Sequence, residues 1–147
     1  MISKAQHCRL VLERKLLAKE MPHFHLYNID GNAYVSGWQT TRGSHQNYQL
    51  KLVLGYYFPD EMPNLYIVSP HTLWKADRYG TINEEETSHA FHTLSNGPNG
   101  CVQICHFKHE SWDASKTCVG VLIKGVIWLE AYEAHLRTGK DIADFCV

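Results

Sequence analysis

Two features that mark other protein classes are missing from this chain of 147 residues: a long apolar run and an excess of one charge. No stretch approaches the ~18 consecutive apolar residues of a membrane span. Lysine and arginine together number 14, aspartate and glutamate 15, and the net charge is -1. Because no basic stripe is available to neutralise phosphates, nucleic acid is not expected as a partner. We expect no membrane partner either.

The opening segment, MISKAQHCRLVLERKLLAKE, lacks the continuous apolar core and the small-residue cleavage site of a signal peptide. Cysteine is present in an odd number and at irregular spacings, which does not suit the disulfide framework of a secreted protein. These observations predict a cytoplasmic protein with reduced thiols. The five cysteines are Cys8, Cys101, Cys105, Cys118 and Cys146.

The length and composition fit one ordinary globular domain. Hydrophobic residues make up 44% of the chain and charged residues 20%, and a chain of this length can bury a single core. No linker, repeat or low-complexity segment interrupts it. The stretch GPNG lacks the lysine and the strand-to-helix setting of a phosphate loop. We therefore predict one domain over residues 1–147 and expect no cofactor.

Helical patterns occupy the two ends of the chain. Apolar residues spaced between charges predict an amphipathic helix that Pro22 ends. After Trp112, a second and longer helix is predicted to pack most deeply against the sheet, with Asp113 or Ser115 capping its start and Gly139 closing its end. The apolar face predicted for the first helix consists of Ile2, Ala5, Cys8, Leu12 and Leu16.

Between the helices the apolar period changes to two, which is typical of strands. The segments NAYVSGWQTT and NYQLKLVLGYYF are separated by a turn-like RGSHQ, and a third segment, LYIVSP, follows closely. Sequential strands with short connections predict an antiparallel meander. Residues 71–100 lose this periodicity and predict a functional loop. The fold class predicted is α+β: N-terminal helix, antiparallel β-meander, active-site loop and long C-terminal helix.

The most chemically crowded stretch is HTLSNGPNGCVQICHFKHESW, residues 92–112. A cysteine in a loop is a nucleophile when exposure and positive potential lower the pKa of its thiol, and an inert core residue otherwise. Cys101, Cys105, His106 and His109 also offer zinc-type ligands, although within nine residues they are closer together than the usual paired spacing. His106 and His109 are interpreted as surface histidines at a strand end, with a role as general bases the less favoured alternative.

Together with several local phrases, this element order resembles the ubiquitin-conjugating enzyme (UBC) family across nearly the whole chain. In YYFPDEMPNLYIVSP, the residues Phe58, Pro59 and Pro63 match the family's Phe-Pro-x-x-x-Pro connection between strands. The ending WLEAYEAHLRTGKD is similar to bacterial ubiquitin-conjugating-like proteins of CBASS antiphage operons. The resemblance implies a UBC-like fold built as a single UBC domain.

The resemblance also implies a cysteine that forms a thioester. From His92 to Cys101 is nine positions and from Cys101 to Trp112 is eleven, close to the family's intervals, and Cys-Val-Gln-Ile matches its Cys-apolar-x-Ile phrase. Cys101 is therefore the implied nucleophile, with Cys105 as the alternative. In the family, the histidine that His92 matches mainly supports the loop by hydrogen bonds.

One departure from the family concerns the amide that supports the oxyanion during amine attack. The family has His-Pro-Asn, whereas the two residues after His92 are neither proline nor asparagine. Asn96 or Asn99 is expected to supply such a donor from a shifted position, or backbone amides do so. Asp113 and Ser115 match the position of an acidic or serine gate that can orient or deprotonate the amine, and they can equally cap the helix.

The function implied is that of an E2-like transferase that carries an acyl group as a thioester and passes it to an amine. Its partners would be a separate activating enzyme or other acyl donor, and a ubiquitin-like protein or the C-terminus of a CD-NTase-type nucleotidyltransferase in CBASS antiphage defence. Two alternatives stay open. One is a catalytically inactive UBC-fold scaffold or binding protein, and the other is a small zinc-binding domain.

Overall fold

A computed structural model describes residues 2–146, and it confirms the α+β class with a helix at each end of an antiparallel sheet. The helices are α1 (Lys4–Glu20), α2 (Ile82–Glu85) and α3 (Cys118–Thr138), with single 3-10 turns at Pro98–Gly100, His109–Ser111 and Ile142–Asp144. The strands are β1 (Phe24–Tyr27), β2 (Tyr34–Thr40), β3 (Asn47–Val53), β4 (Asn64–Ser69), β5 (Thr93–Leu94) and β6 (Val102–Ile104). None of the helices in residues 2–146 has the length and apolarity needed to cross a membrane.

The six strands form one antiparallel sheet in the order β1-β2-β3-β4-β6-β5. The predicted meander corresponds to β2, β3 and β4 and is confirmed. The sequence reasoning missed β1 and β5, because strands of two to four residues are too short to display a period. It expected a strand that reaches His106, whereas β6 ends at Ile104. The predicted loop over residues 71–100 therefore contains α2 and β5, and it delivers the chain to the far edge of the sheet.

The sheet buries one face against α3. The alternation predicted along β3 is confirmed, since Leu50 and Leu52 are fully buried and Tyr48 and Leu54 nearly so. Gly125 of α3 lies directly over β4, and a Cβ there would stand 2.8 Å from a methyl carbon of Leu65. The helix therefore approaches the sheet closely at a position where it has no side chain.

The burial predicted for α1 is wrong. The predicted face is largely exposed, with Leu12 57% exposed, and the buried face consists of Leu10, Glu13 and Leu17. The Glu13 carboxylate accepts the Cys118 backbone N–H at 2.9 Å and the Arg9 Nε–H at 2.8 Å. A buried carboxylate at the start of α3 complements that helix's dipole. Apolar periodicity predicts that Glu13 faces solvent, because a periodic pattern contains no information about a hydrogen-bond partner 105 positions away.

The start of α3 also differs from the expectation. Neither Asp113 nor Ser115 caps it. The hydroxyl of Thr117 caps it instead, accepting the third helical N–H at 3.1 Å. Asp113 caps a separate turn, in which its Oδ1 accepts the Ser115 backbone N–H at 2.8 Å. The end is as predicted, because Gly139 takes a left-handed conformation with φ of 75°.

A buried carboxylate joins the last turns of α3 to the β2–β3 hairpin. Glu133 is only 4% exposed, and its Oε2 accepts hydroxyl donors from Ser44 at 2.6 Å, Thr41 at 2.7 Å and Tyr48 at 3.0 Å. Burial opposes ionisation of Glu133, but these hydroxyl donors outweigh it and hold the carboxyl pKa below its ordinary value. The hairpin is thereby fixed to the helix by charge-assisted hydrogen bonds.

Candidate functional site

The β5–β6 hairpin decides which cysteine lies beside His92. Thr93 pairs with Ile104, and the next pairing outward joins the His92 carbonyl to the Cys105 backbone N–H at 3.1 Å. The structure therefore brings His92 together with Cys105. Cys101 lies at the other end of β6, where the loop from β5 re-enters the sheet. Spacing along the chain selected Cys101 as the cysteine that belongs with His92. Because the chain reverses direction in the hairpin, His92 instead lies beside Cys105, and Cys101 lies at the other end of β6.

Cys101 ends the loop immediately before β6. Its N–H donates to the Pro98 carbonyl at 3.3 Å, and its carbonyl accepts the Gly97 N–H at 2.9 Å, so the loop closes on itself around the cysteine. Cys101 is only 8% exposed. Burial raises the pKa of its thiol, and its own backbone N–H and the Lys51 ammonium offset only part of that effect. The expectation that the Cys101 thiol is exposed and has a lowered pKa is therefore wrong.

An asparagine of α2 braces the loop that ends at Cys101. The Asn83 Nδ2 donates to the Gly100 carbonyl at 3.0 Å and to the His71 carbonyl at 2.8 Å, while its Oδ1 accepts the Leu73 N–H at 3.0 Å. One side chain thus ties α2 to two other backbone segments, residues 71–73 and the loop that ends at Cys101. The sequence reasoning did not identify Asn83, because it lies in an aperiodic segment and its contacts are with residues distant in the sequence.

The same loop rests on an aromatic ring of the sheet. A Cβ at Gly97 would lie 2.2 Å from a ring carbon of Tyr66, so only glycine fits at this approach. Tyr66 pairs with Lys51 on β3 and with Gln103 on β6. Burial, and to a lesser extent the neighbouring Cys101 thiol, raises the pKa of Tyr66. A phenol therefore lies on the sheet near the thiol, and the ammonium of Lys51 lies over the Tyr34 ring, 4.5 Å from its centroid.

The predicted amide donors lie in this loop. The Asn96 Nδ2 donates to the Asn83 backbone carbonyl at 2.8 Å, which uses one of its two N–H groups. Asn99 is exposed in a left-handed conformation with φ of 61°, and its carbonyl accepts a hydrogen bond from His71. Asp113 is exposed; hydrogen bonds from the hydroxyl and N–H of Ser115 hold the pKa of its carboxyl below the ordinary value.

A small cavity of about 80 Å³ opens beside Cys105. Its polar lining comes from His92, Cys105, His106, Lys124 and Cys146. The interpretation of His106 as a surface residue is wrong: it is 5% exposed, and its ring is bonded through Nε2 to a backbone carbonyl at 2.7 Å. Strand alternation would have put His106 and Cys105 on opposite faces, but β6 ends at Ile104 and both residues line the cavity.

The hydrogen-bond partner of His106 is Pro63, and Trp112 makes a similar bond nearby. The Trp112 indole N–H donates to the Pro59 carbonyl at 2.9 Å. Both ends of the Phe-Pro-x-x-x-Pro phrase are thus tied to the segment that follows β6. His109 is exposed, as predicted.

No set of three or more His, Cys, Asp or Glu side chains within residues 2–146 is placed to hold a metal ion. The zinc ligands suggested by the sequence divide between the two ends of β6, with Cys101 before the strand and the other three after it. Comparison with protein-family models, with curated proteins and with solved structures finds no match to this chain.

Proposed function

We propose that this protein is an E2-like transferase that carries an acyl group as a thioester on Cys101 and passes it to an amine. The observation that carries the proposal is the position of Cys101, at the end of a loop braced by Asn83 and seated on Tyr66. It supports the role because covalent transfer requires a thiol held in one place by rigid surroundings. The UBC resemblance and the helix–sheet–helix order supply the reaction class.

The reaction proceeds in two acyl transfers. The Cys101 thiolate attacks the activated acyl carbon, the bond from that carbon to its leaving group breaks, and a thioester forms. An amine then attacks the thioester, gives its proton to solvent, and expels the Cys101 thiolate as the bond from the acyl carbon to sulfur breaks. Lys51 favours the thiolate in both steps, since it is the cation that opposes the pKa increase caused by burial.

The oxyanion of the second step requires a donor in place of the absent family asparagine. The unused N–H of Asn96 or the amide of Asn99 fills that role, because both side chains belong to the loop that ends at Cys101. A fixed donor of this kind lowers a barrier by roughly 3 kcal/mol. Asp113 is assigned to orienting the amine. His92 supports the loop through its carbonyl, which holds the end of β6.

The partners we propose are a separate activating enzyme or other acyl donor, and either a ubiquitin-like protein or the C-terminus of a CD-NTase-type nucleotidyltransferase, in the cytoplasm of a bacterium with CBASS antiphage defence. The support is the phrase at the end of α3. Its Trp128 and Tyr132 are buried, stack at 5.6 Å, and donate to the carbonyls of Phe91 and Trp74. These contacts anchor the segment before the candidate site.

A non-catalytic UBC-fold scaffold is the second candidate. Two observations favour it: the Cys101 thiol is nearly buried with a raised pKa, and the family asparagine is absent. A scaffold would bind its partner through the surface of the domain and would not transfer an acyl group.

Incubation with the donor and activating enzyme encoded beside this protein, followed by a non-reducing gel, separates the candidates. We expect an adduct that thiol reagents remove, present with the wild type and Cys105→Ala and absent with Cys101→Ala. An adduct that survives Cys101→Ala but not Cys105→Ala would move the nucleophile to Cys105. The scaffold predicts co-elution with the donor and no adduct in any variant.

A further inference from the structure

The cavity beside Cys105 holds a second thiol that the proposed reaction does not use. Cys146 reaches this cavity from the segment after α3, which folds back along the domain. The segment is anchored, because Ile142 is fully buried and the Ala143 N–H donates to the Ala90 carbonyl at 2.9 Å. Cys105 is held from the other side by its N–H bond to His92. Two thiols 41 positions apart in the sequence thus share one small cavity.

A base with no partner lines the same cavity. The His106 Nε2 lies 2.7 Å from the Pro63 carbonyl oxygen, which can only accept, so Nε2 carries the proton and Nδ1 presents a lone pair. That Nδ1 is buried and has no hydrogen-bond partner within the described residues. A buried acceptor without a donor is costly, and the cavity that His106 lines also contains the Cys105 and Cys146 thiols, each of which can donate a proton.

We propose that Cys105 and Cys146 are a redox pair that closes into a disulfide across this cavity, with His106 Nδ1 accepting the first thiol proton. The oxidant is hydrogen peroxide. The inference is independent of acyl transfer on Cys101, which lies at the opposite end of β6.

The chemistry balances in two steps. The Cys105 thiol gives its proton to His106, the thiolate attacks one peroxide oxygen, and the O–O bond breaks. The departing oxygen takes that proton, so that one water and a Cys105 sulfenic acid form. The Cys146 thiol then attacks the sulfenic sulfur, the S–O bond breaks and a second water leaves. Two thiols lose two electrons, and one peroxide is reduced to two waters.

The order of the two cysteines follows from their surroundings. Burial raises the pKa of both thiols, but the Lys108 ammonium opposes the effect at Cys105, whereas the Cys105 thiol adds to it at Cys146. Cys105 is therefore ionised more readily and reacts first with the oxidant.

The test treats the full chain with hydrogen peroxide, traps free thiols with an alkylating reagent and maps the cross-links by mass spectrometry. We expect a mass loss of two hydrogens, a linked peptide pair joining Cys105 to Cys146, and reversal by dithiothreitol. Cys105→Ser and Cys146→Ser should both abolish the link. Cys101→Ser and Cys8→Ser are the matched controls that should retain it.

A second variant tests the base. His106→Gln keeps a side-chain donor for the Pro63 carbonyl and removes the imidazole Nδ1 lone pair, so the same link should form about a hundredfold more slowly, the lower end of what general-base assistance contributes. A link from Cys105 to Cys101, or oxidised Cys105 with Cys146 still free in folded protein, would overturn the pair. An unchanged rate in folded His106→Gln would remove the base from the proposal.

Discussion

Replacing Asn83 with alanine tests whether the loop before Cys101 is held in place by that side chain. The change removes three hydrogen bonds, two donated to the Gly100 and His71 carbonyls and one accepted from the Leu73 N–H. Each bond contributes ~1 kcal/mol when part-buried, and less for the exposed one to His71. Alanine returns ~0.6 kcal/mol of helix propensity within α2. The net loss of unfolding free energy should be about 2 kcal/mol.

Urea unfolding measures that loss, and Asn64→Ala is the matched control. Asn64 accepts one exposed hydrogen bond from Gln103 at 3.1 Å, so its loss should cost under ~0.5 kcal/mol. The rate of Cys101 alkylation by iodoacetamide is the second readout, and it should rise severalfold in Asn83→Ala because the loop that buries the thiol is released. If Asn83→Ala matched the control in both stability and alkylation rate, the assignment of Asn83 as the brace would be refuted.

Three further perturbations follow from contacts described above. Gly97→Ala should lower the free energy of unfolding in urea by ~2 kcal/mol, because the added Cβ meets the Tyr66 ring at 2.2 Å. The same substitution should cost less when Tyr66 is also replaced by alanine. Equal destabilisation with Tyr66 and with Ala at position 66 would contradict the contact. The lowered pKa of Glu133 predicts stability that is complete above the ordinary value of 4.5 and lost as pH falls through the folded-state pKa. Glu133→Gln should reduce this loss of unfolding free energy at acid pH. An unchanged loss would refute the stabilising role of the Glu133 carboxylate. Leu17→Ala should cost about 3 kcal/mol and Leu16→Ala under about 1, the reverse of what the predicted face of α1 requires.

Local sequence patterns predicted the structure correctly where the stabilising interactions are themselves local. The alternation of Tyr48, Leu50 and Leu52 is visible because every second residue of β3 meets the same core. Gly139 is visible because a left-handed helix end favours glycine over any other residue. These two features placed the strand and the helix end correctly.

Patterns failed where a polar group decides the packing. The orientation of α1 depends on Glu13 capping the start of α3, and apolar periodicity is blind to that bond. The site shows the same limit. Spacing could select Cys101 as a candidate, but the pairing of His92 with Cys105 comes from a hairpin of two- and three-residue strands. The brace from Asn83 depends on side-chain bonds to backbone groups 10 to 17 positions away, which apolar periodicity does not report.

The central claim, that Cys101 carries the acyl group, is tested most directly by converting its sulfur to oxygen. Cys101→Ser should trap the acyl group as an oxyester, which resists dithiothreitol but is cleaved by hydroxylamine, and tandem mass spectrometry should locate it on residue 101. Cys105→Ser should leave the dithiothreitol-sensitive thioester on Cys101. An oxyester found on residue 105 in Cys105→Ser, with the thioester intact in Cys101→Ser, would contradict the claim.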